Sequence, residues 1–342
     1  MKVQSTAIEG LLMVELDVHG DSRGWFKENW QREKMVAAGL PDFQPVQNNV
    51  SFNAEKGVTR GLHAEPWDKL VSVATGRVFG AWCDLREGSE TFGQLVTQEI
   101  GPDTAVFVPR GVANGFQALE PCAYSYLVND HWSPDADYTC VNLDMVDWPL
   151  EPTEISDKDQ GHAALGDVSP MPPRRILVTG SGGQLGRALK KFLPAAGLGE
   201  AEFCGHADFD ITHPPARPWK QYSTIINCAA YNDVNGAEDD RQEAWAVNAS
   251  APAKLARIAA ENNLTLVHVS SDYIFDGSNE VHTEEELPSP LSAYGASKAA
   301  GDTAAQTAPR HYVIRTSWVF GDGANFMATM RSLANKLSLI HI

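Results

Sequence analysis

A short apolar segment followed by a glycine-rich turn constrains the fold of this chain more than any other feature. Residues 176–178 are apolar, Gly180, Gly183 and Gly186 follow, and a helix-type segment begins at Arg187. Glycines in such a turn let the backbone approach a pyrophosphate, which the free N–H groups of the helix N-terminus bind. The turn therefore predicts a dinucleotide-binding unit.

A tyrosine and a lysine further along the chain add a chemical signal to this turn. Tyr294 and Lys298 are four residues apart, so on a helix they share one face. A tyrosine with an ordinary pKa near 10 needs a neighbouring cation to donate a proton near neutral pH. Alone, the glycines also fit an ordinary tight turn, and Tyr294 and Lys298 also fit a solvated pair on a helix. Together they predict a nicotinamide-dependent reductase.

The pattern of apolar segments and turn residues changes along the chain and divides the 342 residues into two domains. Residues 1–165 contain short apolar segments separated by Gly- and Pro-rich turns, which predicts an all-β sandwich or jelly roll. Residues 166–173 read as a linker. From residue 174 to 342, apolar strands alternate with alanine-rich helical segments, which predicts a doubly wound α/β Rossmann domain. The expected strands of the two domains lie at 11–14, 70–73, 77–82, 94–97 and 105–108, and then at 175–179, 223–229, 264–270 and 311–316.

The amino-acid composition limits the classes of binding partner and the cellular location that we predict. A net charge of −17 argues against nucleic acid or an anionic membrane as a general partner. The five cysteines include no CxxC pair, which favours a reduced chain over a disulfide framework. Because the sequence also has no long apolar run and no apolar leader, we predict a cytoplasmic protein with no membrane segment.

Five motifs of the second domain carry a family resemblance. They are NCAAYNDV at 227–234, VN at 247–248, SSDYIFDG at 270–277, YGASK at 294–298 and RTSWVFG at 315–321. In this order they resemble dTDP-4-dehydrorhamnose reductase, an extended short-chain dehydrogenase. The resemblance implies that Ser271 holds the keto oxygen, Tyr294 donates the proton, and Lys298 lowers the tyrosine pKa and binds the nicotinamide ribose.

The same resemblance implies the remaining contacts of the reductase half. Asp272, Tyr273 and Trp318 are expected to contact the sugar nucleotide. The expected cofactor-binding residues are Gly180, Gly183, Gln184, Leu185, Gly186, Ala229, Ala230, Tyr294 and Lys298. The reductant is NADH or NADPH, because Asp208 and Asp210 fit a ribose-binding acid and a local cap equally well. The family continues for roughly another hundred residues, so we expect an incomplete substrate lobe and a truncated or foreign tail.

Residues 1–165 carry a second resemblance. The motifs are DSRGWF at 21–26, QNN at 47–49, RGLH at 60–63, DKL at 68–70, GRVF at 76–79, DLREGS at 84–89, GF at 115–116 and DWPL at 147–150. They resemble dTDP-4-dehydrorhamnose 3,5-epimerase, a cupin-like jelly roll. Epimerisation next to a ketone needs a base on one face, an acid on the other and a cation for the enolate oxygen.

The resemblance implies a catalytic set for that chemistry. His63 is the expected base, Asp159 fixes its tautomer, Tyr126 reprotonates the opposite face, and Lys69 steadies the enolate. Tyr124 and Tyr138 are neighbouring alternatives for the acid, and Asp157 for the carboxylate. The residues expected to bind substrate are Arg23, Phe26, Gln47, Asn49 and Arg60, the arginines for the diphosphate.

Two departures from the family pattern lie in this half. Asn114 stands where the family usually has a histidine, and the segment after His63 reads Ala64-Glu65-Pro66-Trp67 instead of a Gln-rich turn. Because His63 is then the only histidine of the expected barrel motifs, we predict no metal site.

Taken together, the two halves predict a bifunctional enzyme of dTDP-L-rhamnose synthesis. It would epimerise dTDP-4-dehydro-6-deoxy-D-glucose at carbons three and five and then reduce dTDP-4-dehydro-L-rhamnose. The alternative is an active epimerase with a non-catalytic, cofactor-binding regulatory or scaffold half. A related deoxyhexose substrate and a Mg²⁺ requirement stay open, and the resemblance implies a homodimer.

Overall fold

The computed structural model describes residues 1–133, 136–196, 200–322 and 326–337. It divides the chain into two compact units, Met1–Pro172 and Pro173–Ile342. The segment 166–172, which the sequence interpretation assigns to the linker, therefore lies in the first unit, where Met171 is buried and forms a β-bridge with Arg86. Residues 338–342, on which the expectation of a foreign tail depends, lie outside the described ranges.

Short strands dominate the first unit, as its many turn signals predict. They are β1 (Lys2–Ser5), β2 (Leu12–Glu15), β3 (Val18–Asp21), β4 (Gly24–Lys27), β5 (Gln47–Asn53), β6 (Thr59–Ala64), β7 (Lys69–Thr75), β8 (Val78–Asp84), β9 (Leu95–Ile100), β10 (Thr104–Val108), β11 (Val112–Ala118), β12 (Cys122–Val128) and β13 (Thr139–Cys140). The α-helices are α1 (Arg32–Ala37) and α2 (Asp157–Gln160), and 3-10 turns lie at Leu143–Met145 and Leu165–Asp167.

Most of these strands form two antiparallel sheets. One has the order β1-β2-β10-β7-β12-β5, the other the order β13-β6-β11-β8-β9, and β3 and β4 form a separate hairpin. Side chains alternate across each strand, so both sheets contribute to one apolar core, in which Trp82, Val106 and Phe116 are buried. This arrangement confirms the predicted jelly roll.

Helices and parallel strands alternate in the second unit. The strands are β14 (Arg175–Thr179), β15 (Ala201–Cys204), β16 (Tyr222–Asn227), β17 (Thr265–Ser271) and β18 (His311–Thr316). The helices are α3 (Gln184–Ala195), α4 (Gly236–Asp239), α5 (Arg241–Trp245), α6 (Ala251–Glu261), α7 (Ala293–Ala305) and α8 (Phe326–Leu337), with a π-helical turn at Ala246–Ser250 and 3-10 turns at Trp219–Gln221 and Asp272–Ile274.

The parallel sheet has the order β15-β14-β16-β17-β18, which confirms the predicted Rossmann-type fold. The chain moves from β14 to β15 on one side and then to β16 on the other, so the strand order reverses between β14 and β16. Open α/β sheets bind ligands at such a reversal, beyond the carboxyl ends of the strands. The glycine turn after β14 lies at this position.

Two further findings bear on the sequence-based expectations. Across the described ranges, no helix has both the length and the apolar character that a membrane crossing requires. All five cysteines are within these ranges, and each is a free thiol.

Candidate active sites

A histidine–aspartate pair defines the candidate site of the first unit. His63 lies on β6, and its Nε2 is 2.8 Å from Oδ1 of Asp159 on α2. Burial raises the pKa of Asp159, but hydrogen bonds from His63 and the Gly61 N–H outweigh it and lower that pKa overall. Ser156 caps α2 by accepting a bond from the Asp159 N–H, at 3.2 Å. A carboxylate held this way fixes the orientation of the imidazole.

The pair opens onto a cavity of about 420 Å³ between the sheets. Its lining contains five residues that the sequence predicts: Arg60, His63, Lys69, Tyr126 and Asp159. It also contains Tyr124, the alternative acid, and residues that the sequence interpretation did not assign: Ser51, Glu65, Asn114, Phe116, Glu154 and Lys158, among others. The structure therefore brings together the predicted base, its carboxylate, the predicted acid and the predicted cation.

The predicted cation is held by an ion pair inside the jelly roll. Lys69 is only 4% exposed, and its Nζ lies 2.9 Å from Glu65 Oε2. The same carboxylate oxygen accepts a bond from Trp67 Nε1 at 2.8 Å. Asn114, at the position of the missing family histidine, has its Oδ1 3.5 Å from Lys69 Nζ. The two departures from the family pattern, the segment Ala64–Trp67 and Asn114, thus both lie next to the Lys69 ammonium group.

Of the three neighbouring tyrosines, Tyr126 fits the role of acid best. Tyr124 is fully buried, and its hydroxyl donates to Asn114 Oδ1 at 3.2 Å. Tyr138 packs edge-on against Trp67 and is not part of the cavity lining. Tyr126 is half-buried in the lining, with its ring centroid 5.7 Å from Lys69 Nζ, and burial raises its pKa, so the phenol keeps its proton near neutral pH.

The residues predicted to bind substrate lie in three places. Arg60 lines the cavity, and its Nε donates to Asn53 at 2.9 Å. Gln47 and Asn49 lie outside the lining but alternate along β5 on the same face as Ser51, which lines it. Arg23 and Phe26 belong to the exposed β3–β4 hairpin, away from this cavity lining.

In the second unit, the glycine turn has the close packing that its sequence implies. Gly180 has a φ of +66°, and a Cβ there would lie 2.6 Å from the Ala229 backbone nitrogen. A Cβ on Gly186 would lie 2.5 Å from the Gly180 carbonyl oxygen. Gly183 is the N-cap of α3. Only glycine fits positions 180 and 186, and the tight turn leaves the free N–H groups of α3 open to an anion.

A cavity of about 520 Å³ extends from this turn along the carboxyl ends of the strands. Ten of its lining residues are predicted from the sequence: Gly183, Gln184, Leu185, Ala230, Ser271, Asp272, Tyr273, Tyr294, Lys298 and Trp318. Further lining residues, which the sequence interpretation did not assign to the site, include Cys228, Asn232, Val234, Ser270 and Val319. The turn after β14 contains Gly180 and Gly186, and Gly180 packs against the backbone of Ala229. These three residues are not part of the lining.

The serine, tyrosine and lysine expected to act together all lie in this cavity. Ser271 ends β17 and Tyr294 lies on α7, and both side chains line the cavity, where Ser271 opposes the rise that burial causes in the Tyr294 pKa. Lys298, one turn further along α7, donates from Nζ to the Val269 carbonyl at 2.8 Å. Burial lowers the pKa of Lys298 to about 8, while Asp302 opposes this shift.

Burial also acts on the acid of this set. The resemblance implies that Lys298 lowers the Tyr294 pKa; in the structure, burial raises that pKa and Ser271 opposes the rise. The physical reason is that Tyr294 is 7% exposed while the lysine ammonium group bonds to Val269.

The acidic residues after β15 form local turns. Asp210 accepts bonds from the Thr212 N–H at 2.8 Å and hydroxyl at 2.7 Å, and Asp208 accepts one from the Gly205 N–H at 3.1 Å. The choice between NADH and NADPH therefore stays open.

Family profiles match both units. Residues 5–167 match dTDP-4-dehydrorhamnose 3,5-epimerase, and residues 174–342 match the RmlD substrate binding domain. Both resemblances seen in the sequence motifs are thereby confirmed.

Individual relatives agree with these profiles. The "Protein RmlC homolog" of Streptococcus pyogenes is 50% identical over 182 residues, which cover 49% of this chain and 91% of the relative. The dTDP-4-dehydrorhamnose reductase of Aggregatibacter actinomycetemcomitans is 37% identical over 179 residues, which cover 49% of this chain and 60% of that relative. The solved structure of RmlC from Streptococcus suis in complex with dTDP-D-xylose is 49% identical and covers 50% of this chain and 94% of that chain, with a TM-score of 0.48.

These matches differ in how much of each relative they include. The chain spans nearly the whole epimerase relative but about 60% of the reductase relative. Because both halves match enzyme families of the dTDP-rhamnose pathway, they support two enzyme domains over the regulatory or scaffold alternative. The chain belongs to the dTDP-4-dehydrorhamnose 3,5-epimerase family through residues 5–167, and its residues 174–342 match the RmlD substrate binding domain.

Proposed function

We propose that the first unit inverts carbons three and five of dTDP-4-dehydro-6-deoxy-D-glucose, and that the second unit reduces the ketone of the resulting dTDP-4-dehydro-L-rhamnose. The observation that carries the epimerase half is the buried Asp159 carboxylate, held 2.8 Å from His63 in the cavity that Tyr126 and Lys69 also line. A base, an acid and a cation in one cavity meet the requirements of enolate chemistry.

Each epimerisation would proceed as two proton transfers. His63 takes the proton from the carbon beside the ketone, and Asp159 stabilises the imidazolium that forms. The negative charge moves to the keto oxygen, and the Lys69 ammonium group would stabilise it there. Tyr126 then donates its proton to the opposite face of the carbon. The phenol is protonated at neutral pH, and because burial raises its pKa, Lys69, with its Nζ 5.7 Å from the ring centroid, would be needed to stabilise the phenolate left behind.

The second unit fits a nicotinamide dinucleotide. A Cβ at Gly180 or Gly186 would collide with backbone atoms, so glycine at both positions permits the tight turn that leads into the α3 N-terminus, whose free N–H groups would bind the pyrophosphate. Lys298 would hold the nicotinamide ribose, and Gln184 and Leu185 would contact the dinucleotide from the cavity lining. When bound, the cofactor supplies the hydride for the ketone.

Three side chains would bind the ketone and protonate its oxygen during the reduction. Ser271 would bind the keto oxygen, and Tyr294, which lines the same cavity, would protonate that oxygen as charge develops. The buried ammonium of Lys298 favours the tyrosinate left behind, because opposite charges attract strongly in a poorly hydrated site. Asp272, Tyr273 and Trp318 would contact the sugar nucleotide from the same cavity.

We also propose that the protein acts as a homodimer. Arg23 and Phe26, both expected to contact substrate, lie on an exposed hairpin, and Val50 and Phe52 form an exposed apolar face of the edge strand β5. Exposed apolar patches of this kind mark interfaces. Light scattering should give a dimer that Phe52→Asp weakens and that Val281→Asp, at an exposed site of the second unit, leaves intact. A monomeric parent chain would contradict this proposal.

Several finer predictions belong with this function. A cytoplasmic location agrees with five unpaired thiols. The NADH or NADPH preference, any Mg²⁺ requirement and the particular deoxyhexose are open to direct assay with the purified chain.

The test of the proposed function uses the purified chain in deuterated water. With dTDP-4-dehydro-6-deoxy-D-glucose, NMR should show deuterium at carbons three and five, and added NADPH or NADH should lose its absorbance. Exchange without cofactor oxidation would support the epimerase half and contradict the reductase half. A chain that causes no exchange would overturn the epimerase assignment.

A further inference from the structure

A second set of side chains lies behind the proposed catalytic base. One metal-ligating atom from each of His63, Cys140 and His162 lies within 4.8 Å of the other two. We refer to these residues as the His63–Cys140–His162 cluster. Two of its members, Cys140 and His162, are absent from the lining of the 420 Å³ cavity, whereas His63 belongs to it.

Backbone pairing brings this cluster together. Cys140 on β13 is the direct antiparallel partner of His63 on β6. Directly opposed residues in such a pair have adjacent Cβ atoms on one face of the sheet. The Asn142 N–H donates to the Ala163 carbonyl at 2.9 Å, which ties the chain after β13 to the residue that follows His162. The cluster is therefore fixed by the fold of the first unit.

His162 has unsatisfied hydrogen-bonding groups. Its side chain is only 8% exposed, and among the described residues neither ring nitrogen has a partner at hydrogen-bond geometry, although the Val141 backbone is close enough to influence the ring. The ring packs edge-on against His63, with centroids 5.2 Å apart. Buried polar groups without partners are uncommon, and each needs an explanation.

We propose that this cluster binds a Zn²⁺-like divalent cation, and that the bound ion inhibits epimerisation by occupying His63, an effect that rests on the proposed role of His63 as base. Two imidazoles and a thiolate are the ligands that Zn²⁺ prefers, whereas Mg²⁺ and Ca²⁺ prefer oxygen. Asp159 supplies the adjacent carboxylate, because Oδ1 is 2.8 Å from His63 Nε2 and 4.0 Å from His162 Nε2.

This inference departs from the sequence-based prediction of no metal. That prediction considered only histidines in the barrel motifs, whereas Cys140 and His162 lie outside those motifs. Their closeness to His63 depends on the β6–β13 register, which the sequence does not reveal.

The binding test uses Co²⁺ as a spectroscopic probe for Zn²⁺. Titration of the full chain should produce a thiolate-to-cobalt charge-transfer band that saturates at one Co²⁺ per chain and disappears when Zn²⁺ is added. Cys140→Ser should remove the band, and His162→Gln should weaken Co²⁺ binding at least tenfold. Cys228→Ser, a thiol of similar exposure in the second unit, is the matched control and should keep the band. A chain without the band, or a band that survives Cys140→Ser, would overturn the site.

A labelling experiment on the unmodified chain makes the result independent of how the variants fold. Zn²⁺ should protect Cys140 from N-ethylmaleimide, measured by peptide mass spectrometry, and should leave Cys228 labelling unchanged. Equal labelling of Cys140 with and without Zn²⁺ would overturn the proposal.

The inhibition test follows deuterium exchange at buffered free Zn²⁺ concentrations. Zn²⁺ should slow exchange at least tenfold in the parent chain, a chelator should restore it, and Cys140→Ser should need at least tenfold more Zn²⁺ for the same effect. Equal inhibition of both proteins would contradict the proposed mode of inhibition. If the Co²⁺ band appears but the metal-free chain causes no exchange, the metal site stands and the epimerase proposal fails.

Discussion

At the scale of single residues, the proposed epimerase depends on groups whose protonation the surroundings control. Asp159 is buried but stays ionised because His63 and the Gly61 N–H bond to it. Tyr126 stays protonated because burial disfavours its phenolate. One site thus holds a base supported by a carboxylate beside a neutral acid, which is the division of roles that two-face proton transfer needs.

Replacing the base tests this division. His63→Gln should lower the rate of deuterium exchange by about 10²- to 10⁴-fold, because a positioned general base contributes about that much. Asp159→Asn should also slow exchange, since the amide cannot stabilise an imidazolium. The measurement is exchange at carbons three and five by NMR. Thermal unfolding of each variant serves as the control for folding, and a folded His63→Gln chain with parental exchange would refute the assignment.

The buried Glu65–Lys69 pair gives a prediction about stability. Lys69→Met leaves the Glu65 carboxylate buried and unpaired, which should cost about 3–5 kcal/mol. The double variant Glu65→Gln with Lys69→Met should recover most of this loss, because no lone charge then remains. Urea unfolding of the parent, both single variants and the double variant measures the coupling. Additive losses in the double variant would show that the pair is not coupled.

At the scale of elements, the turn after β8 is held by a buried carboxylate. Asp84 ends β8 and is fully buried, and it accepts bonds from Arg86, Ser89 and Thr91. Burial alone would raise the Asp84 pKa, but these bonds outweigh it and lower that pKa to about 2. The turn is therefore stabilised only while the carboxylate is ionised.

This turn predicts a pH dependence of stability. The folded pKa of Asp84, about 2, is below its ordinary unfolded value of about 3.9, so its contribution is complete above about pH 4 and is lost as pH falls towards 2. The lost stability should be about 2–3 kcal/mol. Calorimetry from pH 7 to pH 2.5 should show a transition that Asp84→Asn makes less pH-dependent. An identical pH profile in the variant would contradict this account.

The glycine turn after β14 gives the second prediction at this scale. Gly186→Ala should weaken NADPH or NADH binding at least tenfold, because its Cβ would collide with the Gly180 carbonyl and displace α3. Gly182→Ala is the matched control, since a Cβ there meets no atom within 4 Å. Fluorescence titration of the cofactor measures both. Equal losses in the two variants would mean that the packing of the turn does not set affinity.

The elements also show what the sequence can and cannot predict. Strands such as β7, β10 and β14 are predictable because apolar runs end at clear turn signals. The strand β11 is not, because it is buried along its whole length and contains Gly115 and Asn114, so it shows neither alternation nor strong strand propensity. The His63–Asp159 pair was predictable only through family motifs. Its partners in the metal cluster depend on strand register, which a single sequence does not encode locally.

At the scale of the whole molecule, the two proposed active sites lie in different units. The epimerase cavity and the reductase cavity share no residue. The product of the first proposed reaction is the substrate of the second, so one chain would perform consecutive steps. Because the residues of each site come from one unit, loss of one activity should leave the other unchanged.

Complementation between two full-length variants tests this central claim most directly. His63→Gln should abolish deuterium exchange, while Tyr294→Phe should abolish cofactor oxidation and leave exchange intact. Neither variant alone should couple the substrate to NADPH or NADH oxidation, and an equimolar mixture of the two should restore it. If Tyr294→Phe also stopped exchange, or if the mixture stayed inactive while each variant kept its remaining activity, the account of two independent sites would be contradicted.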